Sequence, residues 1–225
     1  MSFQIANLKQ IVYALALSAC LGCFLAWGFQ PTSLIFTEFF LKSVSCGETG
    51  FCQLLDHSGF LLMAFLFYIS LPDAPPPILS PLSRNRLLTL CVLPVLIAGA
   101  YGFSKSGHIS WQAGFWTWII IPLAEEWLFR GWLLALLNRI FPNAFLAGSS
   151  LFPLSIWGSA LAFSCWHLQS WGQISLTLLG LQLFYTFCVG MWLGFLKWQT
   201  RSLWPSILAH FLINFAADLK LLLML

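Results

Sequence analysis

Charge is what this chain lacks. Only 8% of its 225 residues are Asp, Glu, Lys or Arg, where a soluble domain carries about 25%. With 60% hydrophobic residues and a mean hydropathy of +0.86, too little polar surface remains to cover a soluble globule, and the composition is that of a chain built for lipid. Clustered basic residues are missing as well. The 10 Lys and Arg are scattered and the formal net charge is only +3, so there is no patch for phosphate contacts and no nucleic-acid partner is expected. Internal repeats and low-complexity tracts are also absent. The 12 Trp, 22 Phe and 4 Tyr suit membrane interfaces and packed cores rather than base stacking.

The 7 cysteines lie mostly in apolar runs, where a thiol behaves as a small hydrophobe. Cys20 and Cys23 form a C-x-x-C with no second pair and no nearby His, a poor redox or zinc motif. Cys46 and Cys52 fall in a polar loop and could form a disulfide if that loop faces an oxidising compartment. The apolar run after the first ten residues lacks a cleavage site followed by a soluble domain, and is expected to be a first transmembrane helix rather than a removed signal peptide.

Segments of about 17 to 25 apolar residues cross a bilayer as helices. Seven are expected: Ile11 to Phe29, His57 to Leu71, Leu87 to Phe103, Ala113 to Leu137, Leu154 to Gln169, Ile174 to Leu196 and Pro205 to Leu223. Pro31 to Val44 suits an interfacial helix, and Asp73 to Arg86, rich in Pro and Ser, reads as a loop. The expected fold is all-α, a polytopic bundle forming one membrane domain over 1–225, with amino-terminal helices in 1–112 and the chemistry in 113–225. Placing Lys9, Arg84, Arg86, Arg139, Lys197 and Arg201 in the cytoplasm leaves Lys42, Lys105 and Lys220 outside, which favours an inside amino terminus.

Against this apolar background the fourth span, WTWIIIPLAEEWLFRGWLLALL, carries Glu125, Glu126 and Arg130 near its middle. Each charge at a helix centre costs about 2.5 to 3.5 kcal/mol on insertion scales, so all three need partners. Glu126 and Arg130 share a face and can neutralise each other, which would serve a structural end. Glu125 points elsewhere, and packing does not require a second carboxylate at this depth. Pro122 removes a backbone donor just before the pair and could kink the helix and admit water.

The fifth span puts Phe163 and His167 on one face, and the last does the same with His210 and Asn214. A His in a helix is commonly a hydrogen-bonded packing residue. Two His and an Asn on separate helices, with a glutamate pair on a third, can instead converge on a bundle-core site. His57 and His108 fall at span ends and read as interfacial or solvated. A carboxylate with an imidazole can hold and deprotonate water, and a second imidazole and an amide can donate to the oxyanion of a tetrahedral intermediate. Glu125, His167 and His210 could equally hold a zinc ion with an open position. The residues alone leave both open.

Together the three motifs resemble the family of CAAX proteases and bacteriocin-processing enzymes, whose pattern is E-E-x-x-x-R, F-x-x-x-H and H-x-x-x-N. They stand here as Glu125-Glu126-x-x-x-Arg130, Phe163-x-x-x-His167 and His210-x-x-x-Asn214, and the resemblance covers about Ala113 to the end. It implies an intramembrane endopeptidase of glutamate type, requiring no cofactor. In it Glu125 activates water, His167 helps to position that water, His210 and Asn214 stabilise the oxyanion, and Glu126 and Arg130 organise the site from behind. The implied substrate is a membrane-associated protein or peptide cut near a C-terminal tail, anchor or sorting signal, and the short chain suits a bacterial inner-membrane member. Two other classes fit the same residues: a non-proteolytic membrane adaptor or immunity protein, and a transporter using Glu125 and the histidines as a proton relay. The lack of internal repeats weighs against the transporter.

Overall fold

A computed structural model describes residues 4–5, 8–36, 92, 94–99, 109–141, 144–145 and 153–223. The described chain is mostly helical, with one short parallel strand pair, β1 (Gln4–Ile5) with β2 (Ala144–Phe145), and an isolated bridge between Trp171 and Ile174. The helices are α1 (Leu8–Phe36), α2 (residues 111–140), α3 (Leu154–Trp166), α4 (Leu176–Thr200) and α5 (Trp204–Leu223). A further helical stretch occupies residues 94–99. Both α4 and α5 are long and apolar enough to cross a membrane, and α1 is apolar over Leu8–Phe24.

The boundaries follow from local chemistry. Ser110 starts α2, its Oγ accepting the Ala113 N–H at 3.1 Å as an N-cap should. Pro205 sits in the first turn of α5, where a missing N–H costs nothing. Arg201, with φ of 54°, breaks the chain between α4 and α5. After α3 the chain passes through a 3-10 turn, His167–Ser170, and a tight turn at Gly172, whose φ of 81° suits a residue without a side chain.

Three expectations change. The fifth span ends as an α-helix at Trp166, so His167 is its C-cap rather than an interior residue. The first helix runs on to Phe36, so Pro31 to Phe36 belongs to it and not to a separate interfacial helix. The fourth span extends at both ends, to 111 and 140. The second span, the Pro-rich loop, Cys46 and Cys52 lie outside the described residues, as does most of the third span.

The chain divides into two compact units, one of Met1–Val44 with Phe129–Phe195 and one of Ser45–Leu128 with Leu196–Leu225. In the first, small residues bring helices together. A Cβ on Gly22 of α1 would strike the Ala162 backbone of α3, and one on Gly158 of α3 would strike Ser18 of α1 and the Leu137 side chain. On another side of α3, Gly190 and Gly194 of α4 lie against Ala160 and Ile156. Ser18-x-x-x-Gly22 and Gly190-x-x-x-Gly194 are small-xxx-small stripes, which allow close van der Waals packing where lipid supplies no hydrophobic drive between helices. Two hydroxyls add links: Ser159 Oγ donates to the Phe129 carbonyl at 2.8 Å and Ser164 Oγ to the Leu183 carbonyl at 2.7 Å.

In the second unit, α5 packs antiparallel to the first part of α2. Trp118 is the centre of this contact: its ring meets Phe215 edge-on at 5.1 Å, and Gly114 leaves room for it where a Cβ would collide with the ring.

Candidate functional site

The run 111–140 is helical throughout but changes register twice, with π turns at Trp116–Ile120 and Trp127–Leu133. Such turns are commonly found at functional sites. They bracket Ile121–Glu126, the short α-helical piece that carries the glutamate pair. Pro122 is the second residue of that piece, one residue after the first π turn, so the backbone changes register next to the position where proline denies a donor.

Glu126 is fully buried, and Glu125 and His210 are almost so. His210 joins them. Its Nδ1 donates to Glu126 Oε1 at 2.9 Å, and its Nε2 lies 3.6 Å from Glu125 Oε2. A ring with a nitrogen on each side can engage two adjacent carboxylates even though their Cβ atoms diverge on the helix. The i, i+4 spacing pairs Glu126 with Arg130; the fold gives Glu126 an imidazole partner from another helix, which no spacing within one helix could show. Asn214, one turn along α5 from His210 and half-buried, donates its Nδ2–H to the Thr117 carbonyl at 3.0 Å.

Another turn along, Asp218 is buried and accepts the Trp118 indole N–H at 3.1 Å. His210, Asn214 and Asp218 thus form an i, i+4, i+8 polar stripe on α5, facing in turn Glu126, Thr117 and Trp118. Asp218 and Trp118 were missed as contributors from sequence. The four-residue period continuing two steps past His210 was the signal available.

The other motif residues lie in the first unit. Arg130 is fully buried with its guanidinium 4.2 Å from the Phe163 ring centroid, a distance that fits a cation–π contact. The His167 ring meets Phe163 edge-on at 4.9 Å, and its Nδ1 lies 2.9 Å from the Phe163 carbonyl. A carbonyl only accepts, so Nδ1 carries the proton in this contact. The expected shared face of Phe163 and His167 is therefore present, although His167 sits at the helix end. A zinc site needs converging protein ligands. Among the described residues there is no group of three or more His, Cys, Asp and Glu side chains that could hold a metal ion.

Residues 107–216 match the family model described as Rce1-like, type II CAAX prenyl endopeptidase. This segment, just under half of the chain, is similar to the Rce1-like family. The matched span contains all three motifs, from Glu125 to Asn214, and stops two residues short of Asp218. An Rce1-like chain is a membrane protease, in keeping with its composition and its apolar helices. No curated protein and no solved structure matches the chain.

Proposed function

We propose that this chain is a multi-pass intramembrane endopeptidase of glutamate type, in which Glu125 is the base that activates water. The observation that supports this is the buried Glu125–His210–Glu126 cluster, with His210 at 2.9 Å from one carboxylate and 3.6 Å from the other. Two acids at this depth are costly, and one imidazole set between them is an arrangement for moving a proton.

In the proposed reaction Glu125 takes a proton from water, the resulting hydroxide adds to the scissile carbonyl carbon, and the carbonyl oxygen becomes negative. His210, oriented through Nδ1 by Glu126, donates from a protonated Nε2 to that oxygen. Collapse of the intermediate breaks the C–N bond, and the proton held by Glu125 passes to the leaving amine. The family motif assigns His167 to positioning the water and Asn214 to the oxyanion beside His210. The same motif assigns Glu126 and Arg130 to organising the site.

The proposed substrate is a membrane-associated protein cut near a C-terminal tail, anchor or sorting signal, which enters from the lipid. The proposed setting is a bundle of about seven spans forming one membrane domain in a bacterial inner membrane. Comparative mass spectrometry of membrane and exported proteins, from cells carrying wild-type chain or Glu125→Gln, tests the proposal. A mature C terminus that disappears in the variant is the expected result; identical C termini in both would reject the protease reading. His167→Ala in purified, detergent-solubilised protein tests the remaining assignment, with cleavage at the wild-type rate counting against it.

A further inference from the structure

The Thr117 carbonyl has an unusual problem. In an α-helix it would accept from the N–H of Ile121, but that N–H donates to the Trp116 carbonyl in the π turn. In the wider register it would accept from residue 122, which is proline and has no N–H. Neither helical donor is available to this half-buried residue, and a carbonyl shielded from water without a donor is costly. The donor it does have is Asn214 Nδ2 at 3.0 Å, from α5.

From this geometry we propose that Asn214 is a positioning residue: its amide replaces the donor that Pro122 withholds from Thr117, and so fixes the register in which His210 meets Glu125 and Glu126. The proposal rests on the protease reading for the purpose of the site, and it gives Asn214 a duty that is distinct from donating to an oxyanion. Asn214 lies four residues after His210, about 6 Å of rise along α5. A slip at Asn214 therefore moves the imidazole directly. The Trp118–Asp218 contact, a further turn away, secures α5 but does not touch the carbonyl.

The test is a double-substitution cycle in full-length protein in detergent. In Pro122→Ala the backbone regains an N–H, and either helical register then supplies Thr117 with its own donor. Asn214→Ala alone should shift or broaden the His210 ring 15N signals, assigned by their loss in His210→Asn. In the Pro122→Ala background the same substitution should leave them unchanged. Hydrolysis of a fluorogenic prenylated peptide ending in a CAAX sequence gives the second readout. Asn214→Ala should lower kcat at least tenfold with KM within about threefold, and in the Pro122→Ala background it should lower kcat less than threefold. Equal losses in both backgrounds, with His210 signals unmoved, would overturn the proposal and leave Asn214 as an oxyanion donor. If wild-type protein does not cleave the peptide, that bears on the protease reading, and the 15N cycle still decides this one. If Pro122→Ala does not fold, the Thr117 carbonyl 13C signal, assigned with Thr117→Ser, is compared between wild type and Asn214→Ala. A shift supports the proposal and an unchanged signal overturns it.

Discussion

Replacing each glutamate by glutamine separates their duties, because the two substitutions preserve shape and remove only charge and basicity. At Glu126 the geometry survives: a glutamine oxygen can still accept from His210 Nδ1, across the 2.9 Å now spanned. A hydrogen bond to a charged group contributes about 1.5 to 3 kcal/mol and a neutral one about 0.5 to 1.5, so Glu126→Gln weakens the hold on the ring by about 1 to 1.5 kcal/mol. If the residue acts only by orienting His210, the rate falls about 5- to 12-fold. At Glu125 the lost group is the base itself, and general-base catalysis is worth about 100- to 10,000-fold. Steady-state hydrolysis of a prenylated CAAX peptide by purified protein, with thermal unfolding measured in parallel, reads both. The expected order is a loss at Glu125→Gln at least about eightfold larger than at Glu126→Gln, with neither variant unfolded at the assay temperature. Equal losses, or a larger loss at Glu126→Gln, would refute the division of labour.

The packing makes three further predictions, each read by thermal unfolding in detergent. Gly190→Leu and Gly22→Leu force side chains into the Ala160 and Ala162 backbones and should destabilise by at least about 1 to 3 kcal/mol, whereas Gly180→Ala, with nothing within 4 Å, should be neutral or stabilising by up to about 1 kcal/mol. Arg201→Gly removes the cost of a left-handed residue, φ 54°, and should stabilise by about 1 kcal/mol; a lower midpoint would show that the Arg201 side chain matters more than its backbone. Trp118→Phe deletes the indole donor to buried Asp218 and should cost about 1.5 to 3 kcal/mol, largely recovered in Trp118→Phe/Asp218→Leu.

Much of this was legible in the sequence for identifiable reasons. The last helix was read as Pro205 to Leu223 and begins at Trp204, because a proline opening an apolar run marks a helix start. His210 and Asn214 were readable as neighbours because an α-helical period held across them. The contact of Glu126 with His210 was not readable: i, i+4 logic finds partners on the same helix, and His210 comes from 84 residues away. The π turns were equally hidden, since they are changes of backbone register that leave no apolar period of their own. Only Pro122 hinted at the first. Gly190 and Gly194 passed as ordinary members of an apolar run, although their spacing of four was visible and their close approach to α3 follows from it.

The glycine and serine stripes joining α1, α3 and α4 have a practical consequence. Contacts of this kind depend on matched shapes and not on expelling water, so exchanging lipid for detergent removes little of what holds them. Of the two units, the first is the one expected to come through extraction and purification with its internal arrangement intact. A preparation that has lost its activity while keeping a cooperative thermal transition should therefore be examined first at the glutamate and histidine contacts of the second.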